Sequence, residues 1–216
     1  MADVTLRGGV GVRIDSEIEV KRSRFLCRLV RVETEDAARA VIEDARRGHF
    51  AARHHCSAFV LGPASAPNQV RRSNDDGEPS GTAGRPMLEA LGGRGFIDTV
   101  SVVTRYFGGT LLGAGGLVRA YSDAVLATID LATAAKQVVQ RERRALFSLS
   151  LAHADAGRVE AELRQRGVTI LGTDYGRTAV LRMTAGDGVD LASLVSGITS
   201  GTCSIEMSGE EWVDVG

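Results

Sequence analysis

Five of the nine residues from Gly108 to Gly116 are glycine, within "YFGGTLLGAGGLVRAYS" (Tyr106 to Ser122). Upstream, "FIDTVSVVTRYF" (Phe96 to Phe107) carries a β-branched run that predicts a strand. Downstream, Leu117, Val118, Tyr121, Val125 and Ile129 recur at helical spacing. Glycine accepts positive φ and close backbone approach, so a run this dense marks a sharp strand-to-helix junction. Amides bared of side chains there can turn toward one point, and the positive end of the helix adds to their field. The loop therefore suits an anion; it equally suits a tight turn packed against another backbone.

The flanking residues are placed to contact an anion from the sides. Arg105 and Arg119 bracket the loop, guanidinium being shaped for paired hydrogen bonds to phosphate, and Tyr106 adds an aromatic ring. Gly108, Gly109, Gly113, Gly115 and Gly116 supply the backbone, and Thr82 and Arg85 complete the candidate phosphate or nucleic-acid site. Neither nucleotide fingerprint is present: GxxxxGK[ST] is missing, and Gly109 and Gly113 do not have GxGxxG spacing.

"SNDDGEPSGTAGRP" (Ser73 to Pro86) is the second cluster. Asp75, Asp76 and Glu78 have the chemistry to hold Mg²⁺, and Ser80 and Thr82 are hydroxyls that an activating base could turn into nucleophiles. The same carboxylates also suit the capping of turns beside Asn74 and Gly77. No other cofactor is expected. In "RHHC" (Arg53 to Cys56) neighbouring side chains alternate on a strand, which disfavours a converging metal site; His54 or His55 is a candidate base, and the same residues equally suit packing or a surface position. Cys27, Cys56 and Cys203 are too few and too scattered for a disulfide framework, so reduced thiols are expected.

Charge permits a nucleic-acid partner without demanding one. The net charge is -1, yet residues 1–144 hold 21 Lys and Arg against 17 Asp and Glu, whereas 145–216 hold 5 against 10. No stretch has the apolar length of a membrane span, which needs about 20 residues, and a cytoplasmic protein with no membrane partner is expected.

Around these motifs the chain alternates strands and helices. A strand is predicted over Glu17 to Val32, with Phe25, Cys27 and Leu29 on one face. A helix follows, capped by Thr34, with Ala38, Val41, Ile42 and Ala45 inward and Gly48 as a left-handed stop. "CSAFVL" is a short strand, a long loop runs to Gly84, and a short helix starts at Pro86. Past the basic "KQVVQRERR", strand, helix, two strands, helix and strand follow in order, the βαββαβ arrangement of ferredoxin-like domains. Two domains are expected, 1–138 and 145–216, with a linker at 139–144.

"SNDDGEPSGTAGRPMLEAL", followed by "VSVVTRYFGGTLLGAGGLVRAYSDAV", resembles the bacterial YigZ branch of the IMPACT family, and "KRSRF" and "HHC" are similar to further positions of its pattern. The resemblance covers about Ile18 to Ala127, and the tail is similar to the ferredoxin-like domain that bacterial members append. It implies an α+β protein: a ribosomal-protein-S5-domain-2-like α/β sandwich followed by that ferredoxin-like domain. It also implies a translation-linked regulator that binds RNA or the ribosome. An enzyme acting on a phosphorylated substrate and a module that binds a protein partner remain the alternatives. His55 stands where the family usually has Asn, and Leu111 where many members have Lys, which removes a phosphate contact from the loop.

Overall fold

The computed structural model describes residues 2–186 and 188–215 and shows an α+β fold with two sheets. Among these residues no helix is long and apolar enough to cross a membrane. The chain divides into two compact units, one reaching to Arg141 and joined by the last residues from Asp214 on, the other Glu142–Val213.

The first unit is built on a five-stranded antiparallel sheet. Its strands are β2 (Arg13–Val20), β3 (Ser23–Arg31), β4 (His54–Leu61), β5 (Val70–Asn74) and β6 (Thr99–Tyr106), in the order β2-β3-β6-β4-β5. Alternation along the strands sends side chains to two cores. On one face Phe25, Cys27, Leu29, Cys56, Ala58 and Val103 pack with residues of α2 (Gly84–Gly93) and α3 (Ala114–Ala134). On the other, Val30, Phe59, Val100 and Val102 meet Ala38 and Ala45 of α1 (Glu35–Gly48), the stripe its sequence predicts.

Several elements differ from expectation for identifiable reasons. The single strand expected over Glu17 to Val32 is a hairpin, β2 and β3 pairing in register from Arg13↔Val30 to Val20↔Ser23. Its turn is Lys21 and Arg22, both at positive φ (47° and 66°), a conformation that glycine or asparagine usually signals. Thr34 caps α1 as expected, accepting from the Ala37 amide at 3.2 Å. Gly48 is not a left-handed stop: it is the last helical residue, and His49 at φ -128° ends the helix. The long loop before Gly84 contains β5, and α3 starts at Ala114, so Gly115 and Gly116 belong to its first turn.

Residues 139–144, expected as a linker, lie inside the unbroken strand β7 (Val138–Leu151). Val138 and Val139 favour extended backbone, and the first residues pair with β1 (Val4–Leu6), as in Thr5↔Val139. A charge-rich composition concealed a strand. In the second unit β7 is followed by α4 (His153–Gln165), β8 (Thr169–Tyr175), β9 (Ala179–Thr184), α5 (Leu191–Thr199) and β10 (Ile205–Val215). The sheet order is β8-β9-β7 with β10 also pairing β7, and Leu149, Leu181 and Met183 are buried with Val159 and Leu163 of α4 and Val195 of α5.

Candidate functional site

β6 delivers Arg105 and Tyr106 to the end of the first sheet, where the chain enters the glycine loop. Gly108 makes the exit feasible. A Cβ there would overlap the carbonyl group of Arg22, and its amide donates to Ser23 Oγ at 3.1 Å. Gly109 (φ 84°) and Gly113 (φ 72°, ψ 164°) take conformations that side chains resist. Gly113 is the N-cap of α3, with no side chain bonded to the cap and no acidic residue in the first turn. The first amides of this 21-residue helix are thus left for an outside acceptor, at the positive end of its dipole. Gly116 has a function in packing, since a Cβ would meet Leu112 Cβ at 3.0 Å, whereas nothing lies within 4 Å of one at Gly115.

A cleft of about 830 Å³ opens beside this helix end. Gly113, Ala114, Leu111, Leu112 and Leu117 form one wall, Ala51, Ala52, Arg53 and His54 the other, and Glu78, Arg105 and Phe107 also line it. The two walls meet because β4 pairs with β6, setting His54 opposite Arg105.

Arg105 is not the free cation its sequence position suggests. Its side chain is 7% exposed, Nη1 donates to Glu78 Oε1 at 2.7 Å, and the guanidinium lies 5.5 Å from the Phe25 ring centroid and 5.6 Å from that of Phe107. The same Glu78 oxygen accepts from the Tyr121 hydroxyl at 2.7 Å. Burial, followed by the neighbouring Cys56 and Glu78, pushes that phenol far above its ordinary range, so it remains a donor. Tyr106 is half-buried, its hydroxyl 3.0 Å from His49 Nδ1 and its ring 5.7 Å from the Arg24 guanidinium.

The three carboxylates expected around a cation are dispersed. Asp75 accepts from the amides of Gly81, Ala83 and Gly84 at 2.8, 3.0 and 2.8 Å. Burial opposes its charge, but these amides outweigh it and hold the carboxyl below the usual range. Asp76 accepts from Arg46 Nη2 at 2.8 Å and from the His55 amide at 2.7 Å, and Glu78 is bound to Arg105 and Tyr121. Each carboxylate faces its own donors. Among the described residues no group of three or more His, Cys, Asp or Glu side chains is placed to hold a metal ion.

The remaining candidates divide between the cleft and elsewhere. Thr82 is buried and donates to the Pro79 carbonyl at 2.6 Å, which occupies its hydroxyl. Arg85 is exposed on α2 and paired with Glu89, and Arg119 is exposed on α3; neither lines the cleft. His54 Nδ1 lies 2.9 Å from the Asp76 carbonyl. Buried His55 has its Nε2 3.2 Å from the His49 carbonyl; burial lowers its pKa, only partly offset by that carbonyl and by Asp76. The cleft residues that sequence reasoning missed are Ala51, Ala52 and Pro79, while Arg53 was noted only beside the histidines. Ala51, Ala52 and Arg53 are far from the glycine loop along the chain and immediately precede β4, whose pairing with β6 brings them to it; Pro79 lies in the loop between β5 and α2.

The Impact N-terminal domain model matches residues 21–129, and the model of a domain of unknown function (DUF1949) matches 149–183. IMPACT family member YvyE of Bacillus subtilis (strain 168) is 44% identical over 70% of this chain and 66% of its own length. IMPACT family member YigZ of Escherichia coli (strain K12) is 39% identical over 76% and 78%. The crystal structure of a hypothetical protein, 31% identical, covers 95% of this chain and 97% of that one with a TM-score of 0.58.

Proposed function

The chain belongs to the IMPACT family, and from that premise we propose that it is a cytoplasmic, translation-linked regulator that binds RNA or a ribosomal phosphate surface through the glycine loop. Supporting it above all is the N-terminus of α3, a long helix whose cap, Gly113, brings no side-chain acceptor and stands in an exposed glycine-rich loop. A phosphate set there accepts from backbone amides and meets the positive helix end. Arg119, exposed on the same helix, adds charge from outside the cleft. The first unit is proposed to be the S5-domain-2-like domain. The second is proposed to be ferredoxin-like, a reading supported by its element order and by its two central strands, β7 and β9.

Gly115→Asp tests the reading cleanly. The site is open to a side chain, and a carboxylate in the first turn of α3 stabilises the helix while occupying or repelling whatever anion binds there. Filter binding of the full chain to structured ribosomal RNA is expected to weaken with salt, by a slope of about -0.9 for each duplex phosphate contacted. Gly115→Asp should lower the affinity about tenfold or more, and Arg119→Ala by less. Wild-type affinity in both variants, with the helix intact, removes this site from the function.

A further inference from the structure

We propose that the cleft beside the α3 N-terminus is a nucleotide site, taking the phosphate on the α3 amides and an unpaired base against Phe107, Leu111 and Leu112. This rests on the RNA-binding reading and deepens it, for it specifies a nucleotide with a bare base and not a duplex backbone.

The observations jointly describe such a ligand. A volume of about 830 Å³ falls within the range of small-molecule sites, about 300–1,000 Å³. One end presents the uncapped helix terminus, and Arg53 stands exposed on the opposite wall. Positive charge thus flanks the opening. Between them Phe107 and Leu111 are 55% and 83% exposed, large apolar side chains held in water where a flat apolar body could cover them. A base supplies such a face.

The floor is polar and incompletely satisfied. Arg105, only 7% exposed, lines it with an Nε that is closed off from solvent and has no hydrogen-bond partner. Glu78 Oε1 receives both the Arg105 and Tyr121 bonds, so the other carboxylate oxygen is left to accept from a ligand. A ligand must therefore bring an anion, a flat apolar body and a donor such as an amino or ribose hydroxyl group. A nucleotide carries all three. A base inside a duplex has its faces covered and cannot enter, so the occupant is a free mononucleotide or an unpaired residue of RNA.

Calorimetric titration of the full chain with AMP, adenosine, an unstructured six-nucleotide RNA and a blunt RNA duplex tests this. AMP or the oligonucleotide is expected to bind, adenosine to bind at least about tenfold more weakly than AMP, and Phe107→Ala and Arg53→Ala each to weaken binding about fivefold or more. Both side chains are exposed, and matched melting curves verify that the variants fold. Equal affinity for AMP and the oligonucleotide identifies a free nucleotide as the ligand; binding of the oligonucleotide alone identifies RNA. The proposal is overturned if neither binds at millimolar concentration, or if both variants bind as the wild type does. If duplex RNA binds through the Gly115 site while AMP and the oligonucleotide do not, the broader function stands and this inference falls.

Discussion

Arg105 and Glu78 form a 2.7 Å ion pair with side chains 7% and 4% exposed, and Tyr121 donates to the same carboxylate oxygen. Removing one partner leaves the other charge buried without compensation, a loss of about 3–5 kcal/mol. Arg105→Ala and Glu78→Ala are each expected to lose that much in urea denaturation. The double variant should lose less than the sum, because the pair is removed whole. A loss below about 1 kcal/mol for either single variant contradicts the pairing. Arg105→Ala is accordingly a poor probe of anion binding, since folding and binding would fail together.

Asp75 makes the turn before α2 pH-sensitive. Its pKa is lowered in the folded chain, so its contribution is present above the unfolded value of about 3.9 and is lost as pH falls through the lower folded value. Asp75→Asn keeps one acceptor for Ala83 and Gly84 but turns an amide donor toward Gly81, which donates to the other oxygen. A destabilisation of about 1–2 kcal/mol at pH 7 is expected. The gap between variant and wild type should narrow below about pH 4. Chemical denaturation at a series of pH values reads it, and a gap that stays constant into acid would show that the charge is not involved.

Sequence carried the helices and most strands because their periodicity is local. Thr34 and the apolar stripe of α1 are readable without tertiary information, and so is the element order of the second unit. What escaped was structure whose cause is distant. Lys21 and Arg22 take a turn their side chains do not favour because the paired strands β2 and β3 hold it. Val138 to Gln140 become strand because β1 pairs with them, and β7 runs on unbroken to pair with β9 from Phe147 to Leu151. The glycine loop was legible as a backbone feature, but the cleft beside it was not. Its second wall is joined to the loop by the β4–β6 pairing, and the choice of Glu78 as the partner of Arg105 depends on a fold that brings positions 78 and 105 together.

The glycines of the loop should separate into those fixed by space and those that are not. Gly108→Ala puts a methyl group into the Arg22 backbone, which cannot swing aside as a side chain tip would. A loss at or above the about 1–3 kcal/mol of ordinary overpacking is expected. Gly115→Ala meets nothing within 4 Å and replaces the poorest ordinary helix former in a helical first turn. It should raise stability by up to about 1 kcal/mol while leaving the amides available. Thermal melting of both variants decides it: similar losses in both would mean that loop space does not distinguish these positions.

The thiols provide an independent check on the two units. Cys27 is buried between β3 and the α2–α3 layer, and burial pushes its pKa up to about 11; burial raises Cys56 further, and its Sγ donates to the Asp75 carbonyl. Thiolate is the reactive form, so neither should react with a disulfide reagent at pH 8 while the first unit is folded. Cys203, in the second unit, is partly exposed. Native protein is expected to titrate one thiol quickly and the unfolded chain all three. Arg105→Ala should speed the labelling of Cys56 more than that of Cys203, since Arg105 and Cys56 share a unit and Cys203 does not. Rapid labelling of Cys27 or Cys56 in the intact protein would mean that the first core is open where the structure has it closed.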